Sequence, residues 1–520
     1  MKVILAGHNL DVEILKDMRE RFETIARTLD NFHVRSLVEP ELRRAAARAE
    51  RIASEVLTKD NLTPETLSAA YARISRLPLP IPEIRKAARE SVARARKSNQ
   101  QIVFEMGHKS IAEHAVFNFD ILDISRLATE FVQGNRIASF TEKSQRYVRF
   151  EEDVLIPQDI AGTSLLASYR EVVRRLFAAY KMLYETIYQN LCRLYPERAN
   201  DEKECRQLQQ TAGEDARYVL PLATFTQFGM TLNARALEWM IWKAKAHPLL
   251  EVRRFGEELL TVSARITPSL VKYTEPEKEY SSTGARLREY LTDTVSTNRG
   301  EARVRMLSYP PNGDDHLLTA LLFARGNSTW DECQQQVESF DPERKKSVFQ
   351  TAMKGLSVND PVWREFETLD FEFELILSAS AFAQLKRHRM STQLAQPYDP
   401  DLGVVVPPSV SQAGLDEPFL SAVEQSTRVF RDMARSSPAS AEYILTNAHQ
   451  RRLLLHANAR ELYHMARLRM DRAAQWEIRE ITTEIIGFAQ KVCPMTMTLA
   501  VGKDEFDDRY GTMYDPEEPL

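Results

Sequence analysis

The same order of sequence motifs occurs twice in this chain, and this repeat constrains the fold more than any other feature. The first copy runs from VFNFDILDI (116–124) through Gly134-Asn135-Arg136 to Asn233-Ala234-Arg235. The second runs from LDFEFELIL (369–377) through Arg387-His388-Arg389 to Asn458-Ala459-Arg460. We therefore interpret the chain as a tandem duplication in which each half follows one structural plan.

Hydrophobic periodicity separates strands from helices in both copies. Phe117 and Phe119 alternate with polar residues in the first copy, as Phe371 and Phe373 do in the second. Such alternation predicts strands with one buried face. Stretches rich in Ala, Arg, Leu and Glu fill most of the remaining chain. The expected fold class is therefore mixed, α+β, with helix in excess.

A polar stretch rich in Ser and Thr, within about residues 275–300, separates the two copies. Ahead of the first copy lies a helix-like segment, ELRRAAARAERIASEV, and behind the second lies an acidic tail with two prolines, for which little order is expected. The predicted domains are an N-terminal helical extension, the two copies and the tail, at 1–64, 65–280, 296–503 and 504–520.

Composition excludes several classes of protein. The 17 glycines nowhere form GxGxxG or GxxxxGK[ST], so a conventional dinucleotide fold or phosphate loop is not expected. The 69 Lys and Arg nearly balance the 74 Asp and Glu, which gives no field that attracts nucleic acid. The four cysteines are scattered, which predicts neither a metal site nor a disulfide framework. No apolar run reaches the ~20 residues of a membrane span, and we expect a cytoplasmic protein.

Two groups of residues in the second copy suit a charged ligand. Asn458 and Arg469 lie about 16 Å apart on one stripe of a predicted helix, which suits an elongated ligand, although taken alone the helix favours a core stripe with a paired arginine. Arg387-His388-Arg389 follows Gln384 at a helix end. Guanidinium groups bind phosphate in bidentate geometry. The alternative is a solvated basic helix end that the macrodipole favours.

In the first copy, the polar loop SFTEKSQRY (139–147) carries Glu142, Ser144 and Arg146 at a spacing of two. Ser144 and Arg146 could bind a phosphate while Glu142 orients a polar group, and a plain surface loop is the alternative. His108 and Glu113, in GHKSIAEH, suit acid–base chemistry or a capping role.

Taken in order, these motifs resemble the flavin-dependent thymidylate synthases, whose hallmark reads RHRxxSxNxxSxRY. The first copy contributes ARIS (72–75), GHKSIAEH and ARYVLP (216–221), and the second contributes QLKRHR (384–389), NAREL (458–462) and AQWEI (474–478). The resemblance implies two tandem domains, helix-rich with antiparallel sheets, which form a pseudodimer. It also implies FAD as cofactor, with NADPH and methylenetetrahydrofolate as co-substrates and dUMP as substrate.

The resemblance assigns roles residue by residue. The residues implied in catalysis are His108, Ser144 and Arg469. Those implied in flavin binding are Ser110, Glu113, Glu142, Asn233, Arg235, Arg387, His388, Arg389, Asn458, Arg460 and His464. Those implied in nucleotide binding are Glu142, Ser144, Gln145, Arg146, Arg217, Gln384, Arg387 and Arg469.

Each copy departs from the family pattern in a different place. The first has Gly134-Asn135-Arg136 in place of the RHR motif and Ala244 in place of the activating arginine. The second has Ala395, Pro397 and Asp399 in its loop and Glu442 opposite Arg217, so two phosphate-binding arginines become acids. These complementary losses predict one composite site, in which the first-copy loop meets the second-copy RHR motif.

Three functions remain open at this point. The first is reductive methylation of dUMP to dTMP by a tandem enzyme with half the usual sites. The second is a related flavoprotein that acts on another nucleotide or methyl acceptor. The third is a nucleotide- or flavin-binding paralogue without turnover. In each case we expect a homodimer of tandem chains, which would reproduce the homotetramer of the family.

Overall fold

The computed structural model describes residues 1–14, 62–146, 148–291 and 302–514, together with the single residues 16, 19, 20, 23, 44 and 47. Most of the predicted N-terminal extension and the last six residues of the tail lie outside the described residues. The strands are β1 (Lys2–His8), β2 (Val116–Ser125), β3 (Ser139–Glu142), β4 (Phe225–Asn233), β5 (Val304–Ser308), β6 (Asp370–Ser378), β7 (Thr392–Ala395) and β8 (Gln450–Asn458).

Helices make up most of the described chain. The α-helices are α1 (Glu65–Arg73), α2 (Ile81–Glu90), α3 (Val92–Asn99), α4 (Arg126–Gln133), α5 (Leu165–Leu194), α6 (Pro196–Asn200), α7 (Glu202–Ala216), α8 (Ala234–Lys245), α9 (Leu250–Ala264), α10 (Lys278–Arg288), α11 (Gly313–Phe323), α12 (Trp330–Glu338), α13 (Pro342–Met353), α14 (Ala379–Leu385), α15 (Pro408–Gln412), α16 (Asp416–Ser436), α17 (Ala459–Arg469), α18 (Trp476–Val492) and α19 (Phe506–Tyr514). Within the described ranges, none of these helices combines the length and the apolar character that a membrane span requires.

Both copies build the same sheet. The strand order is β1-β2-β4-β3 in one four-stranded sheet and β5-β6-β8-β7 in the other, with antiparallel pairing between neighbours such as β3 and β4 or β6 and β8. Phe117, Phe119 and Ile121 of β2 are buried, as are Phe371 and Phe373 of β6. The predicted α+β class with antiparallel sheets, helix-rich and in tandem, is confirmed.

Three segments that the sequence suggested to be irregular or poorly ordered contain regular structure. Residues 139–142 of the predicted loop form β3, because Ser139 to Glu142 pair with Thr231 to Phe228 of β4. Residues 278–288 of the polar stretch between the copies form α10. In the tail, α19 forms around Phe506, which is buried and lies against the Arg467 guanidinium at 4.2 Å.

The described chain divides into two compact units that do not follow the order of the copies. The first unit comprises Met1–Ile124, Ile137–Lys143 and Phe225–Thr292. The second comprises Ser125–Arg136, Ser144–Thr224 and Asp293–Leu520. Two segments of the first copy therefore fold with the second copy. One of them carries Ser144, Arg146 and Arg217, which are predicted site residues.

A buried acid anchors the helices of the first unit. Glu65, at the start of α1, accepts hydrogen bonds from Arg96 at 2.6 Å and from the backbone N–H and hydroxyl of Ser269 at 2.7 Å. In the same unit, β4 leads directly into α8, whose first turn is capped by Asn233 through the N–H of Ala236 at 2.9 Å. The contacts of Glu65 thus hold α1, and the Asn233 cap begins α8, which carries the predicted flavin residue Arg235.

Reciprocal backbone pairing joins the two copies inside the second unit. Leu222 N–H donates to the Leu445 carbonyl at 2.7 Å, and Asn447 N–H donates to the Leu220 carbonyl at 3.0 Å. A second pair of hydrogen bonds has the same reciprocal arrangement. Ala223 N–H donates to the Tyr443 carbonyl at 2.8 Å, and Ala448 N–H donates to the Tyr218 carbonyl at 2.9 Å. Positions that correspond in the two copies therefore exchange the same hydrogen bonds, as around a local two-fold axis.

A buried carboxylate secures this junction. Glu477, in the first turn of α18, accepts from the Tyr218 hydroxyl at 2.6 Å and from the Ser378 hydroxyl and N–H at 2.5 and 3.1 Å. Burial raises the pKa of Glu477, whereas these hydrogen bonds act to lower it. The Trp476 ring stacks on Tyr218 with centroids 6.0 Å apart. The AQWEI motif therefore ties the first-copy segment to β6.

Replacement of Glu477 by Leu should lower the free energy of unfolding by about 3 kcal/mol or more, because three buried donors would have no acceptor. Urea denaturation at neutral pH measures this change in the free energy of unfolding. The matched control is Glu480→Leu on the same helix, an exposed acid paired with Arg303, which should change stability by less than about 1 kcal/mol. Equal effects of the two substitutions would contradict this role of Glu477.

Candidate active site

Arg469 is the last residue of α17, and its guanidinium group donates hydrogen bonds to two side chains of the second unit. Its Nε donates to His388 Nε2 at 2.9 Å, and one terminal nitrogen donates to Gln384 Oε1 at 3.2 Å. Burial lowers the pKa of Arg469 to about 10, and the nearby Arg387 and Arg146 add to this effect. Arg469 is therefore a charged group held in position without a carboxylate partner among the described residues.

His388 is buried between Arg469 and an acid on the same helix. Its Nδ1 lies 3.1 Å from Glu461 Oε1, and its ring meets that of His464 edge to face at 5.4 Å. Burial and the charge of Arg469 hold the pKa of His388 well below its ordinary value. The ring is therefore neutral at physiological pH. Of its neighbours in the RHR motif, Arg387 is exposed and Arg389 is half-buried.

The part of the first-copy loop that begins at Ser144 lies in the same unit. The Ser144 hydroxyl accepts from the Arg146 N–H at 3.1 Å, and the Arg146 guanidinium pairs with Glu214 and donates to the Ala473 carbonyl at 3.1 Å. Gln145 is buried, and its side-chain oxygen accepts from Asn447 at 3.3 Å. Arg146 therefore lies beside the turn that connects α17 and α18.

Arg217 is the most deeply buried arginine of this group. Its Nε donates to the Glu214 carbonyl at 3.1 Å, while one terminal nitrogen is buried and has no hydrogen-bond partner within the described ranges. Burial lowers its pKa, and Arg126 and Arg146 act in the same direction. A buried guanidinium nitrogen without an acceptor is uncommon in a native fold and indicates a site for a ligand oxygen.

The arginines of both copies thus influence one another within the second unit. Arg146 is close enough to lower the pKa of both Arg217 and Arg469, which links the loop of the first copy to the helix of the second. Like charges gathered at low exposure favour an anionic ligand. These interactions connect the predicted nucleotide residues Ser144, Gln145, Arg146, Arg217, Gln384, Arg387 and Arg469, and we call this set the composite pocket.

Three residues of this pocket are absent from the sequence predictions. Glu214 orients Arg146, and Arg126 acts on Arg217. Asp215 accepts from Ser409 at 2.6 Å and from Trp476 Nε1 at 2.9 Å, and burial raises its pKa to about 6. The acids directly precede ARYVLP, so the one available signal is a charged pair beside a recognised motif.

Three of the predicted flavin residues of the second unit, Asn458, Arg460 and His464, line a cavity of about 480 Å³ together with Met390 and Leu468, whereas Arg387, His388 and Arg389 are not part of its lining. Asn458 caps α17 through the Glu461 N–H at 2.9 Å, and Arg460 pairs with Glu367 at 2.7 Å. The exposed His464 lies at the cavity wall. Asn458 and Arg460 therefore have structural partners of their own.

The first unit contains the corresponding residues of the other copy. Arg235 pairs with Glu113 at 2.6 Å, which repeats the Arg460–Glu367 pair, and Asn233 is the cap of α8. His108 and Ser110 line a cavity of about 630 Å³ with Tyr71, Arg76 and His114. Glu142 lies in β3 of this unit, whereas Ser144 belongs to the second unit.

The first unit has no room for an arginine at the position that corresponds to Arg469. Ala244, which corresponds to Arg469, is fully buried between α8 and α9. A Cβ placed on Gly256 of α9 would lie 2.8 Å from the Ala244 Cβ, so the two helices already touch at this point. An arginine at position 244 would separate them.

Comparison with known proteins identifies the family. The family model described as thymidylate synthase complementing protein matches residues 56–269 and again 305–495. The chain belongs to this family. The double match confirms both the resemblance found in the sequence and the tandem arrangement.

Relatives of two lengths match the chain. The UPF0159 protein of Chlamydia muridarum is 25% identical over 411 residues, covering 74% of this chain and 77% of that protein. The flavin-dependent thymidylate synthase of Clostridium tetani is 30% identical over 218 residues, which cover 41% of this chain and 83% of that enzyme. A solved structure also matches, the crystal structure of flavin-dependent thymidylate synthase from Helicobacter pylori complexed with FAD and dUMP. The match covers 41% of this chain and 96% of the Helicobacter pylori chain, with 17% sequence identity and a TM-score of 0.29.

Glu442, which stands at the position that corresponds to Arg217, belongs to a cluster of residues that pair with one another. Arg451 pairs with Glu130 at 2.6 Å and lies 3.7 Å from Glu442, while the Tyr398 hydroxyl donates to Glu130 at 2.6 Å. The Arg451 guanidinium also covers the Tyr398 ring at 3.7 Å. We call these four residues the closing cluster. Asp399 caps the following turn through the Asp401 N–H at 2.9 Å.

The closing cluster pairs its single cation with acids of its own. Burial opposes the charge on Arg451, but Tyr398, Glu130 and Glu442 together raise its pKa. Burial also raises the pKa of Glu442, and Arg451 opposes this. Glu130 and Glu442 together therefore supply the negative charge that keeps Arg451 ionised.

Arg451→Met should lower the free energy of unfolding by about 3–5 kcal/mol at pH 8, because the acids of the closing cluster stay buried without their cation. The folded-state pKa of Glu442 is already raised, so its ionised form destabilises the variant and a lower pH relieves this. The destabilisation should therefore shrink between about pH 8 and about pH 5, as denaturation curves at several pH values can measure. Arg435→Met, which removes an exposed arginine paired with Asp432, is the control and should change stability by less than about 1 kcal/mol.

Proposed function

We propose that this chain is a flavin-dependent thymidylate synthase that methylates dUMP to dTMP at the composite pocket. The observation that carries the proposal is the buried Arg217 nitrogen without an acceptor, which lies among guanidinium groups of both copies. A nucleotide phosphate supplies both the missing acceptor and the opposite charge.

The charge arrangement explains why an anion fits here. Two unit charges about 4 Å apart interact by about 4 kcal/mol at an effective dielectric near 20, so each arginine of the pocket costs stability until an anion binds. Glu214 offsets part of this through Arg146. The second-copy counterpart of the phosphate site is neutralised by Glu442 and would not recruit an anion.

Each side of the composite pocket would bind a different part of the nucleotide. Ser144, Arg146 and Arg217 would hold the phosphate. Arg469, held by His388 and Gln384, would face the pyrimidine and stabilise the negative charge that develops there as carbon 5 is alkylated. Arg387, exposed beside this pocket, would serve either the nucleotide or the flavin.

The cavity beside α17 fits the proposal that FAD binds in the second unit. Its 480 Å³ lies in the range of small-molecule sites, and it combines the polar Asn458 and His464 with the apolar Met390 and Leu468. Arg387 and Arg389 would hold the phosphates of the cofactor. When bound and reduced, FAD supplies the reducing equivalents that turn the transferred carbon into a methyl group.

NADPH as reductant, methylenetetrahydrofolate as carbon donor and a homodimer of tandem chains are parts of the same proposal. They rest on the family alone. A second candidate function, nucleotide or flavin binding without turnover, is favoured by one observation, the presence of Ala244 in the first unit where the activating arginine would stand. Turnover decides between the two, because the first requires release of tritium from dUMP labelled at carbon 5 when NADPH and methylenetetrahydrofolate are present.

Substitution of the pocket arginines should weaken dUMP binding measured by calorimetry. We expect affinity to fall about 10–100-fold for Arg146→Ala and Arg217→Ala, which remove charge-assisted hydrogen bonds, and about fivefold for Ser144→Ala. Arg428→Ala on α16, where the arginine is exposed and pairs with Glu424, is the matched control. Unchanged affinity in the Ser144→Ala, Arg146→Ala and Arg217→Ala variants would exclude the composite pocket.

The purified chain should release FAD on denaturation, at about one or two molecules per polypeptide. Absorbance and mass spectrometry of the released compound measure identity and amount, and dUMP should perturb the flavin spectrum of the intact protein. A chain that holds no FAD even after incubation with excess cofactor would exclude both enzymatic functions.

A further inference from the structure

Glu461, His388 and Arg469 form a continuous series of hydrogen bonds, in which Glu461 is the one residue to which the sequence assigned no role. Glu461 is buried in the first turn of α17, where its own N–H donates to the cap residue Asn458 at 2.9 Å. Its carboxylate lies 3.1 Å from His388 Nδ1, and His388 Nε2 accepts from Arg469 at 2.9 Å. We call these three residues the relay.

The hydrogen bonds fix the tautomer of His388. A guanidinium can only donate, so Nε2 of His388 must be the acceptor and carry no proton. The proton of the neutral ring then lies on Nδ1, which donates it to the Glu461 carboxylate. Without that acceptor, a buried Nδ1–H would be left unsatisfied, and the ring would favour the tautomer that cannot accept from Arg469.

The consequence for Arg469 is directional. Its Nε and one terminal nitrogen are held by His388 and Gln384, while the other terminal nitrogen has no hydrogen bond within the described ranges. This nitrogen is the one available to a ligand. Without its hydrogen bond to His388, the side chain would be held at one point and could rotate.

The two copies provide an internal comparison. The positions that correspond to Glu461, His388 and Gln384 in the first copy are Ala236, Asn135 and Phe131. The position that corresponds to Arg469 is Ala244. Where the arginine is absent, all three of its supports are absent as well. This agreement indicates that the supports serve the arginine and not the fold of the helix, which forms in both units.

We propose that Glu461 is a positioning residue that holds the Arg469 guanidinium toward the nucleotide by fixing the tautomer of His388. The proposal rests on the proposed function for its effect on turnover, but its structural part does not. The charged and titratable groups that face His388 are Arg469, Arg387, His464 and Glu461. The cations among them oppose protonation of the ring, so the relay should persist throughout the neutral pH range.

The structural part is tested with protein whose histidine rings carry ¹⁵N, in which the His388 signals are assigned by their disappearance in His388→Gln. The chain has ten histidines, which keeps the spectrum tractable. We expect a neutral ring with the proton on Nδ1, with shifts that do not change between pH 8 and pH 6. In Glu461→Leu the ring should change tautomer or become a mixture, whereas Glu461→Gln, whose amide oxygen still accepts from Nδ1, should keep the original signals.

The functional part uses the same variants. Glu461→Leu should lower the rate of tritium release from dUMP by about 100-fold with a smaller change in phosphate-dependent affinity, because Arg469 would no longer be oriented toward the reacting base. Glu461→Gln should stay within about threefold of the parent protein. Glu424→Leu and Glu424→Gln, on the exposed face of α16, are the matched controls and should change neither measurement.

The outcomes separate the two proposals. If Glu461→Leu folds, keeps the Nδ1 tautomer and retains the rate of the parent protein, the positioning role is wrong. If Glu461→Gln loses activity to the same extent as Glu461→Leu although it keeps the Nδ1 tautomer of His388, Glu461 acts by its charge, and the proposal is likewise wrong. If the parent protein shows no tritium release but the tautomer responds as expected, the proposed function fails while the relay stands.

Discussion

The reciprocal backbone pairing of residues 218–223 with residues 443–448 is the constraint on which the second unit depends. These hydrogen bonds lie in buried segments, where a backbone group without its hydrogen bond costs about 1–3 kcal/mol. Separation of the two segments is therefore unfavourable. Arg217 directly precedes this segment, and its carbonyl accepts from Asn447 at 2.9 Å. The pairing therefore delivers a first-copy arginine to the second copy, and Glu477 and Trp476 secure it there through Tyr218.

Local sequence patterns predict the parts of this fold that are decided locally. The alternation in β2 and β6 is a direct result of one face meeting the core, and the Asn-Ala-Arg motifs begin helices because Asn233 and Asn458 cap them. The loop at 139–147 is misread because β3 is a short edge strand that exists only through its pairing with β4. No periodicity within four residues can reveal a partner that lies nearly ninety residues later.

The residue types of the site are predictable, whereas their partners are not. A charged ligand requires cationic and hydrogen-bonding side chains, and the sequence provides them in Arg146, Arg217, His388 and Arg469. The family resemblance assigns each of them a place in the motif order. What holds each in place lies far along the chain, as Glu461 does from His388 and Glu214 from Arg146. A sequence shows that acids are present but not which cation each one meets, because that is decided by how the helices pack.

The closing cluster also has a consequence for how such a chain can change over time. Restoring an arginine at Glu442 alone would bury a second cation beside Arg451 and leave one acid to serve both. Under the proposed function, recovery of a phosphate site at position 442 would thus require several substitutions, and each single step would give a protein less stable than the present one. The cluster that Arg451 forms with its acids would in this way make the loss of that site difficult to reverse.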